Sequence, residues 1–244
     1  MGGKSEVLSD TSGTAEGSVL DRVVAASLEG HHARFARRHG RALRYESDVA
    51  PFFAFDTLDD QHDPAVWGEA AKLADEGEIV AFPGVTAPPA EGWTLVVKLD
   101  GVQMVGTGIS PKPEPEAVRL GPDDVPEMLD LIARTDPGPF KQRTVEVGTY
   151  LGLRREGALI AMAGERMHPP GWTEISAVCT DAAYRGQGLA GRLVRAVAAG
   201  IAERGETPFL HAAASNTNAI RLYRSLGFAP RRPMPFTIVQ RAAG

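Results

Sequence analysis

Cysteine is nearly missing from this chain. Cys179 stands alone among 244 residues, which excludes an internal disulfide framework and suits a reducing compartment. No apolar run approaches the length that spans a bilayer, so no membrane partner is expected. A basic surplus is absent too: 26 Lys and Arg face 31 Asp and Glu, a net charge of −5. Phosphate-rich partners select an excess of positive charge, so no nucleic-acid partner is expected. Residues 1–18 are rich in Gly, Ser, Thr and acids and lack an apolar h-region. They read as a disordered tail and not as a signal peptide, and a cytoplasmic location is expected. The six histidines show no H-E-x-x-H spacing, so no metal is expected.

What is present is ordinary globular composition, 43% hydrophobic and 23% charged, sufficient for one large domain or two small ones. Leu20, Val24, Leu28 and Phe35 recur at near-helical spacing, with Gly40 as a stop. Arg34, Arg37, Arg38, Arg41 and Arg44 form a local basic patch that reads as a solvated helix end. Phe52–Phe55 is a short apolar run, and Asp63-Pro64 opens a helix through Ala74. Ile79–Phe82 and Trp93–Leu99 read as strands, and Asp100-Gly101 predicts a hairpin into Val102–Val105. The Pro-rich connector Pro111–Pro115 sets a domain boundary, giving a smaller α/β domain over 19–112 and a second domain over 117–244. In the second, helices are expected at 122–133, 188–204 and 216–226. Strands are expected at 148–153, 158–167, 173–180, 208–212 and 234–240.

The stretch Tyr184–Arg192, Y-R-G-Q-G-L-A-G-R, carries the chemistry. Gly186-x-Gly188-x-x-Gly191 matches a dinucleotide fingerprint, and Arg185-x-x-Gly188-x-Ala190 matches a pyrophosphate turn of a different kind. Both use glycines for close backbone approach and a helix start for charge. The dinucleotide fold wants an acid after the next strand, about 20 residues on; Glu206 precedes the strand instead. Only residues 186–244 follow the turn, too few for a doubly wound sheet, so the second match is preferred.

Downstream stands Asn216-x-x-Ala219-x-x-x-Tyr223-x-x-x-Gly227-Phe228. Strand, R-x-x-G-x-A turn, helix, strand and this Asn–Tyr helix together make residues 117–244 resemble the GNAT superfamily of acetyl-CoA-dependent N-acetyltransferases. The segments 172–180 and 206–211 are similar to a bacterial subgroup with an extra N-terminal region. Where that family often has a proline before the turn, this chain has Asp181-Ala182-Ala183. The resemblance implies an α+β fold: a mixed, mostly antiparallel sheet flanked by helices, preceded by a smaller, degenerate GNAT-like domain. It implies acetyl-CoA as cosubstrate, a small-molecule or peptide amine as acceptor, and direct transfer in a ternary complex. A non-catalytic acyl-CoA sensor or interaction module is the alternative. Neither the acceptor nor the oligomeric state is legible in the sequence.

By the same resemblance, the cofactor rests on Arg185, Gly186, Gln187, Gly188, Leu189 and Ala190. Val178, Cys179 and Thr180 offer strand-edge groups to its pantetheine arm. Asn216 caps a helix or touches that arm, and Ala219 shares a helical face with Tyr223. Tyr223 is the expected general acid toward the leaving thiolate. Glu174 is the expected base, because alternation places it with Ser176, Val178 and Thr180 on one face, away from Cys179. A bulge would change that parity. His211 is a second base candidate and Glu165 a weaker one.

Overall fold

The computed structural model describes residues 18–243, so the expected tail at 1–18 lies almost wholly outside the described residues. The first helix, α1 (Val23–Glu29), is shorter than the apolar spacing predicts. Gly30 ends it, and the chain turns back as an antiparallel hairpin of β1 (Ala36–His39) and β2 (Ala42–Tyr45). Gly40 is therefore a hairpin turn, not a helix stop. Its φ is +55°, and a Cβ there would lie 2.4 Å from the Glu69 carboxyl group. The basic patch is not a helix end either. Arg37 pairs with Glu46, Arg38 with Glu29 and Asp56, Arg41 with Asp60 and Asp63, and Arg44 with Glu78.

Strand β3 (Phe53–Phe55) joins β2. Helix α2 (Pro64–Ala71) follows, with Asp63 accepting from Ala65 N as its N-cap. Strands β4 (Ile79–Pro83), β5 (Trp93–Leu99) and β6 (Gly101–Val105) complete this half. Phe53, Phe55, Trp67, Phe82 and Trp93 fill its core.

The second half opens with a short strand β7 (Val118–Leu120), not expected from the sequence, and α3 (Val125–Thr135). It continues through β8 (Tyr150–Arg155), β9 (Ala158–Glu165) and β10 (Trp172–Thr180). Helix α4 (Leu189–Glu203) buries Leu189, Leu193, Val197 and Ile201, the apolar stripe expected of it. Strand β11 (Thr207–Ala213), helix α5 (Thr217–Ser225), β12 (Ala229–Pro233) and β13 (Phe236–Arg241) close the chain. The sheet expected of the family resemblance is present: mixed, mostly antiparallel, and flanked by helices.

The two halves exchange strands. β5 and β6 make no hairpin, contrary to the Asp100-Gly101 signal. β5 pairs with β13, whereas β6 lies between β11 and β12 in a seven-stranded sheet. In return β13, from the far end of the chain, lies between β4 and β5. The segments β4–β13–β5 and β11–β6–β12 are thus equivalent in order, each with its central strand supplied by the other half. The crossing is tight. Met234 N donates to Gly101 O at 2.9 Å, and a Cβ on Gly101 would lie 2.5 Å from Met234 O. The boundary at the connector therefore follows chain order but not hydrogen bonding. The connector itself docks on α4, where Glu114 takes both Arg192 nitrogens at 2.7 and 2.8 Å.

A further cluster joins the halves, with Leu20, Leu28, Phe35 and Phe52 meeting Val147, Met167 and Phe209. His32 is buried there, 3% exposed. Its Nε2 donates to Val147 O at 2.9 Å, so its Nδ1 accepts from the Tyr45 hydroxyl at 2.8 Å. Burial is the main cause that lowers its pKa from 6.5 to about 4.

Two outcomes follow from these contacts. A neutral His32 is favoured in the fold, while the unfolded imidazole titrates at its ordinary value. Its contribution is thus full above pH 6.5 and is lost as pH falls toward 4, by about 3 kcal/mol in all. Denaturant unfolding from pH 7 to 4 checks this, and His32→Gln should flatten that part of the profile. A fragment of residues 117–244 lacks β6, leaving β11 and β12 with no strand between them. It should be unfolded or aggregated by circular dichroism and gel filtration; a monomer that unfolds cooperatively would contradict the exchange.

Candidate active site

The parallel ladder between β10 and β11 is short. It pairs Trp172 with Thr207, Thr173 with Pro208 and Glu174 with Phe209, and then stops. Past that point the lower part of β10 has no partner on its β11 side. On the β9 side, β10 carries a bulge: Ser176 opposes Gly164 and Cys179 opposes Met162, so Ala177 and Val178 share one partner position. Ala177 takes φ +51°, a backbone strain of the kind concentrated at functional sites.

The bulge overturns the alternation expected from the sequence. Because Gly164 and Met162 share a face of β9, Ser176 and Cys179 share a face of β10. Glu174 therefore stands on the face of Cys179, not on that of Thr180. Its side chain is wholly buried, and Arg166 grips both oxygens at 2.9 and 2.7 Å. His211 Nδ1 adds a contact at 2.8 Å and Met167 N another at 3.3 Å. Burial alone would raise its pKa, but the Arg166 guanidinium outweighs that and holds it well below the usual carboxylate range. A carboxylate so saturated is a poor proton acceptor. His211 is equally occupied, with Nε2 facing the Gln103 amide nitrogen at 3.1 Å. Glu165 is 5% exposed and accepts from Arg204 and Thr149 N. None of the three expected base candidates lines the cleft described next.

That cleft, about 720 Å³, opens between β10, the start of α4 and α5. Its wall holds Val178, Cys179, Thr180, Arg185, Gly186, Gly188, Leu189, Ala190, Asn216, Ala219 and Tyr223. Of the residues expected to hold a cofactor, only Gln187 is missing from the wall; it is exposed. Gly186 and Gly188 take φ +78° and +73°, and no atom lies within 4 Å of a Cβ built on either. Conformation requires the glycines here, and the space above them is open. Gly188 caps α4 without any side-chain hydrogen bond, so the first N–H groups of that helix are free for an anion.

The charges at this wall point the same way. Arg185 reaches only the Thr180 carbonyl, at 3.3 Å, and Arg221 only the Asn218 side chain, at 2.5 Å. Neither has a carboxylate partner among the described residues. Arg192, in contrast, is consumed by Glu114 and Glu116. Thr180 Oγ1 is buried with no hydrogen-bond partner, an unmet polar group on the wall itself. A diphosphate at the turn and an amide-bearing arm along β10 fit these donors.

Tyr223 is 8% exposed, and burial is the main cause that pushes its pKa up to about 12. The phenol is thus fully protonated at neutral pH. Asn216 Oδ1 accepts from Ala219 N at 3.0 Å, so it caps α5 while also lining the cleft. The Cys179 thiol is buried, and burial pushes its pKa up, which keeps it a thiol and not a nucleophilic thiolate.

Sequence reasoning missed the far wall, Thr135, Asp136 and Pro137. Asp136 is the only carboxylate among the lining residues, held at φ +45° at the end of α3. The signal was its Asp-Pro-Gly-Pro loop, which marks a turn but not the cleft it faces. Folding also gathers His31, His168 and Glu206 within 4.8 Å, a group invisible in the spacing. The His31 and His168 rings are stacked 3.8 Å apart at 7°. Rings stacked face to face at this spacing cannot both have one ion in their plane, so this arrangement as it stands is not a chelate.

Known proteins match this geometry. Residues 150–234 match the family model for FR47-like protein. A structure from Novosphingobium aromaticivorans, assigned to the GNAT family of acetyltransferases, is 38% identical. The match covers 92% of this chain and 99% of that one, with a TM-score of 0.84. The N-alpha-acetyltransferase RimI of Mycobacterium tuberculosis is 37% identical over 105 residues, which is 40% of this chain and 65% of that relative. A GCN5-related N-acetyltransferase from Kribbella flavida shares the fold at 17% identity, covering 91% and 95% of the two chains with a TM-score of 0.58. No helix among the described residues is long and apolar enough to cross a membrane. With the uncapped glycine turn, the interrupted β10–β11 ladder and near full-length similarity all in one molecule, the chain belongs to the GNAT family of acetyltransferases.

Proposed function

We propose that the protein transfers an acetyl group from acetyl-CoA to an amine, directly and in one ternary complex. The observation that carries this is the cleft itself. A strained bulge, an orphaned threonine hydroxyl, an uncapped helix start and two arginines without acidic partners converge on one wall. Bound acetyl-CoA supplies the thioester, whose C–S bond is exchanged for a C–N bond to the acceptor.

Arg185, Gly186, Gly188 and the first turn of α4 hold the diphosphate, with Arg221 as additional charge. Val178 and Thr180 hold the arm, and Thr180 Oγ1 gains its missing partner. Tyr223 acts at the leaving sulfur. Full proton loss from a phenol near 12 to a thiolate of ordinary pKa, about 8.5, is uphill. Tyr223 therefore donates a hydrogen bond as charge develops on sulfur and keeps its own proton, and the proton that the amine gives up ends on the thiolate. Glu174 takes no part in proton transfer; it positions β10 against β11 through Arg166 and His211. Asp136 is the one carboxylate on the wall available to the amine.

The first half reads as a degenerate counterpart of the second. It lacks the glycine turn, but its β4–β13–β5 order repeats β11–β6–β12. One observation favours a non-catalytic acyl-CoA sensor instead, namely that Glu174 and His211 are both sequestered. Tyr223→Phe separates the two readings. An enzyme should lose about 100-fold in kcat while acetyl-CoA affinity by calorimetry stays within about twofold. Thiol release that is undetectable with any amine, despite tight binding, would favour the sensor. Glu174→Gln leaves Arg166 buried and unmatched, and should cost about 3 kcal/mol or more of stability. The folded fraction should keep the pH–rate profile of the parent; loss of its acidic limb would restore Glu174 as the base.

A further inference from the structure

The strand crossing makes a second cavity, also about 720 Å³, beside the end of β11. Its floor is apolar, with Val102, Ala214 and the prolines of β12, and its charged lining is Lys98, Asp100, Arg231 and Arg232. Arg231 and Arg232 both donate to a single oxygen of Asp21, at 2.7 and 2.6 Å. One carboxylate thus serves two guanidinium groups. The Lys98 ammonium reaches only the Thr86 carbonyl, at 2.8 Å. The Asp100 carboxylate has no hydrogen bond or ion pair among the described residues, although it shares this wall with three cations. Lys98 and Asp100 are exposed, so the cavity presents three cations, two of them sharing Asp21, and one carboxylate that pairs with none of them.

These charges differ in mobility. Arg231 is fixed, because its Nη1 also donates to Gln103 Oε1 at 2.7 Å. Gln103 is wholly buried and contacts His211, which contacts Glu174. Arg231 is thereby the outer end of the same network that holds β10 to β11. Lys98, held only by the Thr86 carbonyl, can reorient toward a ligand, whereas Arg232, which also donates to the Pro233 carbonyl at 3.3 Å, does so by giving up its ion pair with Asp21.

The cavity also adjoins the cleft. Ala214 lines the cavity and donates its N–H to Asp100 O at 2.9 Å. Asn216, two residues on, lines the cleft. Two residues of backbone span at most about 7 Å, so residues close together at one strand end line both spaces.

We propose that this cavity is the acceptor pocket, and that it takes a small amine carrying an oxyanion, a carboxylate or a phosphate. Arg232 and Lys98 receive the oxyanion and Asp100 draws the amino group toward the end of β11. The proposal rests on the acetyl-transfer reading.

The test uses the full-length protein, acetyl-CoA and three acceptors: β-alanine, O-phosphoethanolamine and n-propylamine, which lacks an oxyanion. In the parent, kcat/KM by thiol release should be at least about tenfold higher for an anionic acceptor than for n-propylamine. Whichever of β-alanine and O-phosphoethanolamine leads identifies carboxylate or phosphate. Arg232→Gln and Lys98→Gln, singly and together, should remove that preference through KM, with acetyl-CoA affinity within about twofold of the parent. Asp100→Asn should raise KM for all three acceptors. Equal use of n-propylamine or a preference that survives both substitutions would each overturn the pocket assignment alone, and no acceptor turned over although acetyl-CoA binds would overturn it while favouring the sensor. Failure to bind acetyl-CoA would overturn the transferase reading and this proposal with it.

Discussion

Two backbone segments cross at Gly101 and Met234, and both sheets depend on that crossing. The contact works only because Gly101 has no side chain: a Cβ there would meet Met234 O at 2.5 Å. On one side of the crossing β6 enters between β11 and β12, and on the other β13 enters between β4 and β5. Neither half can complete its hydrogen bonding from its own strands in this arrangement. The stability of the cleft, which belongs to the second half, is thus tied to the first. The shared cluster around Phe35, Phe52 and Phe209 reinforces the tie by removing apolar surface of both halves from water.

Within this frame the buried ionic network has a structural task. Arg166, Glu174, His211 and Gln103 link the loop after β9, β10, β11 and β6 in one chain of contacts. Buried charge is costly to desolvate, and its mutual attraction does little more than offset that cost. Its value lies in geometry. It holds β10 and β11 together just above the point where their ladder ends, so the opening below them has a fixed origin. The bulge at Ala177 then turns the lower part of β10 so that Thr180 faces the cleft.

The local parts of the site were legible in the sequence. Glycines at 186 and 188, an asparagine cap at 216 and a tyrosine seven residues on are requirements that neighbouring residues impose on one another, and all of them meet at one wall. The helices α4 and α5 were legible for the same reason, since an apolar stripe and a cap are local signals. The misreadings all involve strand pairing, which a local pattern does not specify. Asp100-Gly101 carries a turn signal whichever sheet receives the next strand, so the hairpin expectation failed. Leu20 to Phe35 keep helical spacing, yet Gly30 breaks the helix and the β1–β2 pairing claims the residues that follow. Glu174 was assigned its face by alternation, and a single extra residue in β10 moved it to the other.

The sequence by itself determined the family, the glycine turn and the tyrosine of the cleft, because each is encoded within a few consecutive turns of chain. Tertiary structure alone decided which strands complete which sheet, that Glu174 and His211 are buried against Arg166, Gln103 and each other, and that Asp100 has no partner among the described residues beside a cationic wall. Those outcomes rest on hydrogen-bond pairing, register and burial between residues as much as two hundred positions apart, as in the contact of Asp21 with Arg231. No local pattern fixes such pairings, because the energy that selects them appears only when both partners are in place.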